Sequence, residues 1–409
     1  MIEDYKAVID VGSSKITAII GEYDYHSKEL KVLGFYEIKS EGVKNGVVVN
    51  IDSVNNAILK AVEEAEKVAG REIKNVTVSI AGGHINSTGS PGMHGVEHPE
   101  REITQSDIAK VLETAKAIKM NPGSELLNIL AKEYVIDGQS GIKDPMNMSG
   151  VRLEVNVHII TGAGKAIHNL IKSVNNASII VDNYIFSGLA SAHAVLTDEE
   201  KELGVLLIDI GAGTIDAIAY ENSSVFYTAS YDKGGDDINL ELSKNFRTPL
   251  SESERIKKQY GYALSELCNP EETVDIQLVG ALKNTNIKKI EIAKVIEESA
   301  AKMIETLAAD FRNNDLINKC VCGIVLTGGM AELKGFDELL EKTTGLPVRI
   351  GKSLQIGGVT NSVKGPRNAT GIGLLKYSFE NEDLKLLTQQ NNSVFGVVNW
   401  FKDMIGQIF

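Results

Sequence analysis

The sequence predicts an α/β fold built from two duplicated halves around a cleft, with a small α+β insert in the first half. Three observations carry this. Two apolar runs, "AVIDVGSS" from residue 7 and "LLIDIGAG" from residue 206, end in the same acidic, glycine-containing corner. Each opens three β-runs that lead into helical periodicity. Aligning Ile9-Asp10-Val11-Gly12 on Ile208-Asp209-Ile210-Gly211 gives an offset of 209 minus 10, or 199 residues, a whole domain rather than a solenoid repeat.

In order along the chain, β-runs at 7–10, 16–22 and 30–40 precede a helical pattern from Ser53 to Ala69 and a strand at 75–82. Residues 83–101, rich in Gly, Pro and His, read as a loop. Thr104 and Asp107 fit a capping box ahead of "IAKVLETAKAIKM", and strands near 133–138 and 151–161 close the insert. The second opening repeats with strands at 203–210, 214–220 and 224–231, then helices at about 236–246, 251–260 and 289–314. The expected division is 1–82 and 164–198 for the first half, 83–163 for the insert, and 199–241 and 322–380 for the second half. A helical subdomain at 242–321, a flexible linker at 381–392 and an amphipathic helix at 393–409 complete it.

With 409 residues and 43% hydrophobic content, the chain can bury more than one core. Its 42 basic and 55 acidic residues leave a net charge of -13 with no basic tract, so nucleic acid is excluded as a partner. Cys268, Cys320 and Cys322 are too few for a disulfide framework and read as reduced thiols of a cytoplasmic protein. The start carries no secretory signal, and no run of about 18 apolar residues appears.

Glycine lets backbone N–H groups in a tight hairpin approach an anion, which gives Gly12, Ser13, Ser14, Gly211, Gly213 and Thr214 a phosphate-binding role. Asp10 and Asp209 would repel phosphate unless a magnesium ion lies between, so the charges imply the metal. Lys15 supplies a point charge. One such corner alone reads as an ordinary hairpin; two copies point to a shared ligand. A third piece, "GIVLTGGMAEL" at 323–333, runs a strand into Gly328 and Gly329, whose bare backbone can lie against a purine or ribose beside the adaptable Met330. Two motifs are discounted. "TGAGKA" at 161–166 has Ile159 in place of the first P-loop glycine and Ala166 in place of the magnesium-binding hydroxyl, so it is a helix start. His94 and His98 lie in the Gly/Pro-rich stretch read as loop and form no helical metal face.

At 100° steps, Val394, Val397, Val398, Phe401, Met404, Ile405, Ile408 and Phe409 of the tail fall within an arc of roughly 140°, with Phe395 and Trp400 just outside it. At roughly 25 Å this helix suits a membrane interface and is too polar on one side to span a bilayer. Docking on the chain's own core is the commoner fate of such a stripe; the polar stretch before it and the sole tryptophan favour lipid. Lys402 is offset by Asp403, so insertion is expected to be hydrophobic rather than electrostatic.

The two phosphate corners and the Gly-Gly loop, in this order, resemble those of the actin superfamily. Within it, "VKNGVVVNIDSVNNAILKAVEEAEKVAG", "KDPMNMSGVRLEVNVHIITGA", "ASAHAVLTDEEKELGVLLIDIGAGTIDAIAY" and "PLSESERIKKQYGYAL" resemble the bacterial division proteins of the FtsA family over nearly the whole chain. The resemblance implies an actin-like ATPase fold of ribonuclease-H-like halves, with ATP and magnesium held by Asp10, Gly12, Ser13, Ser14, Lys15, Asp209, Gly211, Gly213, Thr214 and Asp216. Gly234, Gly235, Glu254 and Lys257 would flank ribose and base with Gly328, Gly329 and Met330. The likeness also implies self-association into filaments, a tubulin-like ring partner (FtsZ) gripped near 242–321, other division proteins, and the inner face of the cytoplasmic membrane at the division site. There are departures. Ser187 and Gly188 stand near the position where hydrolytic relatives place Glu or Gln, and a hydroxyl is a poor base, so at most a slow ATPase is expected. Ala212, Ile215, "NLEL" at 239–242 and Ser299 replace residues common in the family. The enzymatic rival, a sugar or small-metabolite kinase of the same superfamily, needs a catalytic carboxylate facing an acceptor hydroxyl, and none is evident.

Overall fold

The computed structural model describes residues 5–24, 29–97, 102–117, 121–280, 284–354, 356–358 and 363–390. Two sheets carry the duplication. The first has the order Ile180–Phe186, Asn75–Ile80, Lys6–Val11, Lys15–Asp24, Glu29–Lys39, Ile356–Gly358. The second runs Val348–Ile350, Ile324–Thr327, Val205–Ile210, Ile215–Glu221, Ser224–Tyr231. Apart from the added edge strand Ile356–Gly358, both place three antiparallel strands beside two parallel ones. Val205–Ile210 is buried at every position, as expected for a central strand covered on both faces.

The equivalent corners repeat in detail. Val11 pairs with Ile16 and Ile210 with Ile215, and in each turn the glycine N–H closes the loop at 2.9 Å, Gly12 to the Lys15 carbonyl and Gly211 to that of Thr214. After the first hairpins the chain forms the helix Ile51–Ala69. Asn50 caps it by accepting from the Ser53 N–H at 3.0 Å, and Gly70 ends it in the left-handed region at φ 62°. The cap explains why the helix starts before Ser53. Its buried face, Val54, Ala57, Ile58, Ala61, Val62 and Ala65, follows the 3–4 spacing legible in the sequence.

The insert has its own four-stranded sheet, Asn86–Gly95, Arg152–Ala163, Ser124–Ile136 and Gln139–Ile142, and its own core of Val111, Leu153, Val155, Val157 and Ile159. Asn86–Gly95 corrects the expected loop at 83–101. Pro91 is tolerated because this is an edge strand, and Gly92 is required because a Cβ there would lie 2.3 Å from the Val111 carbonyl of the helix Gln105–Lys116. Gly92, which looked like a loop residue, is where helix and strand approach. Thr104 and Asp107 form the expected reciprocal capping box. His94 sits on this strand, its Nε2 3.1 Å from Asp107 Oδ1, as a structural partner of the cap. "TGAGKA" does pass from strand into the helix Gly164–Asn175.

The insert is joined by chain to the first half and packs by side chains on the strand Ser224–Tyr231 of the second. Buried His158 places Nε2 2.9 Å from Thr228 Oγ1, Ser87 donates to the Thr228 carbonyl at 3.1 Å, and Lys143 donates to Ser224 Oγ at 2.7 Å. The Gly83 N–H donates to Asp232 Oδ1 at 2.6 Å. Burial, reinforced by nearby Lys132, pushes His158 down to about 4, so it is neutral in this interface.

At the other end, the helix Ala369–Gln390 runs through most of the stretch read as a linker. No glycine or proline falls between Leu374 and Gln390 to stop it, so polarity alone was a poor guide. The tail helix expected at 393–409 lies outside the described residues. Among the described residues no helix is long and apolar enough to cross a membrane.

Candidate functional site

The two corners meet. A Cβ on Gly213 would lie 2.7 Å from Ser13 Oγ, which itself accepts from the Gly46 N–H at 3.0 Å. Behind them lie three carboxylates, each held by hydroxyls. Ser79 donates to Asp10 at 2.7 Å. Ser191 and Thr370 donate to Asp209 at 2.5 and 3.2 Å and lie 3.0 Å from each other. Ser187 and Ser230 donate to the two oxygens of Asp216.

Register explains the grouping. Asp209 stands opposite Asp216 across the hairpin and beside Thr327 in the parallel pair, and Ser230 is the cross-strand partner of Asp216. Burial pushes all three acids up, Asp209 to about 6 and Asp216 to about 7. Their hydroxyl donors oppose the shift, and the charge of Asp10 adds to it in the other two. Such a cluster gains from a cation. Among the described residues no group of three or more His, Cys, Asp or Glu side chains is arranged to hold a metal alone. The donor set nonetheless fits magnesium, which takes one or two carboxylates and completes its shell with water and phosphate oxygens.

Lys15 is half-buried, and the desolvation lowers its pKa; Glu37 opposes this, with Oε2 3.1 Å from the ammonium. It also donates to Asn368, and Arg367 takes the other Glu37 oxygen at 2.7 Å.

The Gly-Gly loop closes against the same acids. Gly328 has φ 83°, and a Cβ there would fall 2.4 Å from Asp209 Oδ1; a Cβ on Gly329 meets nothing within 4 Å. Gly234 touches the second corner, where a Cβ would be 2.4 Å from the Ala212 carbonyl. A Cβ on Gly235 would sit 3.0 Å from Met330 Sδ and 2.9 Å from Lys257 Nζ. Lys257 donates to the Gly235 carbonyl at 2.8 Å and pairs with Glu254 at 2.8 Å. Burial alone would raise Glu254; Lys257 overrides it and holds the carboxyl at about 2. The "SESERIKK" helix is therefore no uniformly solvated face, since Ser253, Ile256 and Lys257 point inward.

The structure thus gathers Ser13, Gly213, Asp209, Gly328, Gly234, Gly235, Met330, Lys257 and Glu254 along one continuous path. Sequence reasoning missed the hydroxyls Ser79, Ser191, Ser230 and Thr370. Ser191, one helical turn after Ser187, carried a faint signal; Ser79 and Thr370 come from distant segments and carried none.

Two related sheets joined through mirrored glycine corners define the protein as one of actin-like ATPase fold. A chain of the PilM–PilN type IV pilus biogenesis complex superposes with a TM-score of 0.65 at 14% identity, covering 91% of this chain and 98% of that one. A Spiroplasma citri MreB5 structure bound to ADP gives 0.55 at 14% identity, covering 96% and 99%. Family models match at two places: the SHS2 domain inserted in FtsA at residues 82–161 and cell division protein FtsA at residues 206–373. The cell division protein FtsA of Pseudomonas aeruginosa is 37% identical over 91% of this chain and 89% of its own length. That of Borreliella burgdorferi is 34% identical over 94% of each, and that of Escherichia coli is 33% identical over 92% and 91%. The chain belongs to the FtsA family of cell division proteins.

Proposed function

We propose that this protein is an ATP-binding, filament-forming adaptor that tethers a tubulin-like division ring of the FtsZ type to the cytoplasmic membrane during bacterial cell division. The observation that carries the nucleotide part is the contact of the Ser13 and Gly213 corners in front of half-buried Asp10 and buried Asp209. In this reading Gly12, Ser13, Ser14, Gly211, Gly213 and Thr214 hold phosphates, and Asp10 and Asp209 hold magnesium, which neutralises the charge between acids and phosphates. Lys15 adds a positive charge, and Gly234, Gly235, Glu254, Lys257, Gly328, Gly329 and Met330 line the nucleoside side. Ser187 commits its hydroxyl to Asp216 and supplies no base for water, which supports binding with slow turnover. The apolar arc of 393–409 is the anchor to the inner leaflet, with filaments multiplying a weak single contact.

Vesicle sedimentation tests the adaptor. The full chain with magnesium and ATP is expected to pellet with anionic vesicles and turn over little ATP, while the chain ending at residue 392 stays in the supernatant. Equal pelleting of both, or acceptor-dependent ADP release at ordinary enzymatic rates of about 10 per second, overturns it.

A further inference from the structure

Lys15 and Glu37 are diagonal neighbours on adjacent antiparallel strands, since Lys15 pairs with Lys39 and Thr17 with Glu37. The Lys15 ammonium lies 3.1 Å from one oxygen of Glu37 and also donates to Asn368 Oδ1, while Arg367 donates to the other Glu37 oxygen at 2.7 Å. Two cations therefore share one carboxylate, and the trio keeps an excess of positive charge. That charge is felt inward. Lys15 bears on Asp10 and Asp209, and Arg367 bears on Lys15.

Arg367 is exposed, but its backbone is anchored. It lies on the single 3-10 turn Pro366–Asn368, and the Pro366 carbonyl accepts from Thr327 Oγ1 at 2.9 Å and from the Gly328 N–H at 3.1 Å. The arginine thus reaches Glu37, on the first half, from a segment bonded to the second.

An anion in front of the Ser13 corner meets a cation whose charge Glu37 already answers. A carboxylate that serves one cation alone competes strongly with such an anion. Shared with a second cation, it competes less, because its attraction is divided between the two.

We propose that Glu37 and Arg367 set the affinity of the cleft for a nucleoside triphosphate, Glu37 by competing with phosphate oxygens for the Lys15 ammonium and Arg367 by drawing Glu37 off it. Both are positioning residues that act through Lys15 and touch no part of the nucleotide. This rests on the nucleotide reading above and adds to it a device that tunes how tightly phosphate is held.

The test is a double-mutant cycle, read by calorimetric titration of the full chain with ATP at fixed magnesium and about 0.15 M salt, where long-range charge effects are screened. Glu37→Gln is expected to tighten ATP roughly three- to fivefold and Arg367→Met to weaken it by a similar factor, the size of effect of a partly exposed ion pair. Arg367→Gln replaces the methionine variant should that fail to fold. The double variant is expected to bind like Glu37→Gln alone, because Arg367 has nothing left to act on. A purely structural role would give losses in both single variants, and simple addition of charge would return the double variant to the wild-type affinity. Either result, or an unchanged affinity in Glu37→Gln, overturns the inference while leaving the nucleotide reading in place; wild type that binds no ATP sinks both.

Discussion

The crossing of the helices Ser187–Val195 and Ala369–Gln390 offers a quantitative test. A Cβ on Gly373 would lie 1.6 Å from the Ala190 carbonyl oxygen, against 3.4 Å for ordinary contact, so Gly373→Ala must separate the helices by about 1.8 Å. Both helices carry donors to Asp209, Ser191 on one and Thr370 on the other. A shift of that size would stretch the 3.2 Å Thr370 bond beyond hydrogen-bonding range. Overpacking costs about 1–3 kcal/mol and a broken buried hydrogen bond about 1–3 more, less about 1 kcal/mol for better helix propensity, leaving a net loss of about 3 kcal/mol. Gly371→Ala is the control. Its Cβ would crowd the tip of Ile19, Cδ1 at 2.7 Å, which can rotate away, and meets Asp10 Cβ at an ordinary 3.9 Å, so propensity and crowding should nearly cancel. Urea unfolding followed by circular dichroism should lower the Gly373→Ala midpoint by about 1 M at a slope of about 3 kcal/mol per M, with Gly371→Ala near wild type. Coincident midpoints for the two variants would refute the argument that this crossing is set by backbone contact.

The acid cluster predicts a pH dependence. Asp209 and Asp216 bind protons more tightly folded than unfolded, so their contribution is present at low pH and is lost as pH rises through about 6 and 7. Without divalent metal, stability should fall between about pH 4 and 7 at up to about 1.4 kcal/mol per pH unit per titrating group, and Asp216→Asn should flatten the curve in parallel urea titrations. On the proposed reading magnesium is held by ionised Asp209, so calorimetric affinity for magnesium-ATP should rise from pH 5.5 to 8, and Asp209→Asn should abolish that rise. Thr104→Ala removes one arm of the insert's capping box and should cost about 1 kcal/mol, read as a lower unfolding midpoint with nucleotide affinity intact. Lys257→Met leaves Glu254 and Asp236 without their buried cation and should weaken ATP by at least tenfold while raising the Glu254 pKa, which NMR titration of the carboxyl would follow.

What could be read in advance follows from where the information sits. Asp10-Val11-Gly12 and Asp209-Ile210-Gly211 are local signals, a strand pattern of period 2 broken at a tight turn, and their repetition gave the duplicated architecture. The strand Asn86–Gly95 was lost because its Gly and Pro residues serve packing and edge position, which a composition window reads as loop. The helical stretch after residue 380 was missed for the opposite reason, since its polarity says nothing about the absence of a helix stop. In the site, glycines and acids were legible because backbone freedom and charge restrict which residues serve. Ser79, Ser230 and Thr370 were not, because any sequence holds many hydroxyls and only tertiary register selects these.

The docking of the insert on Ser224–Tyr231 has a mechanical outcome. A module tethered covalently to one lobe and gripping the other through His158, Ser87 and Lys143 behaves like a pointer fixed on one hinge plate and resting on the next. Any swing of one lobe about the other must therefore slide or break these contacts, because the module cannot follow both lobes at once.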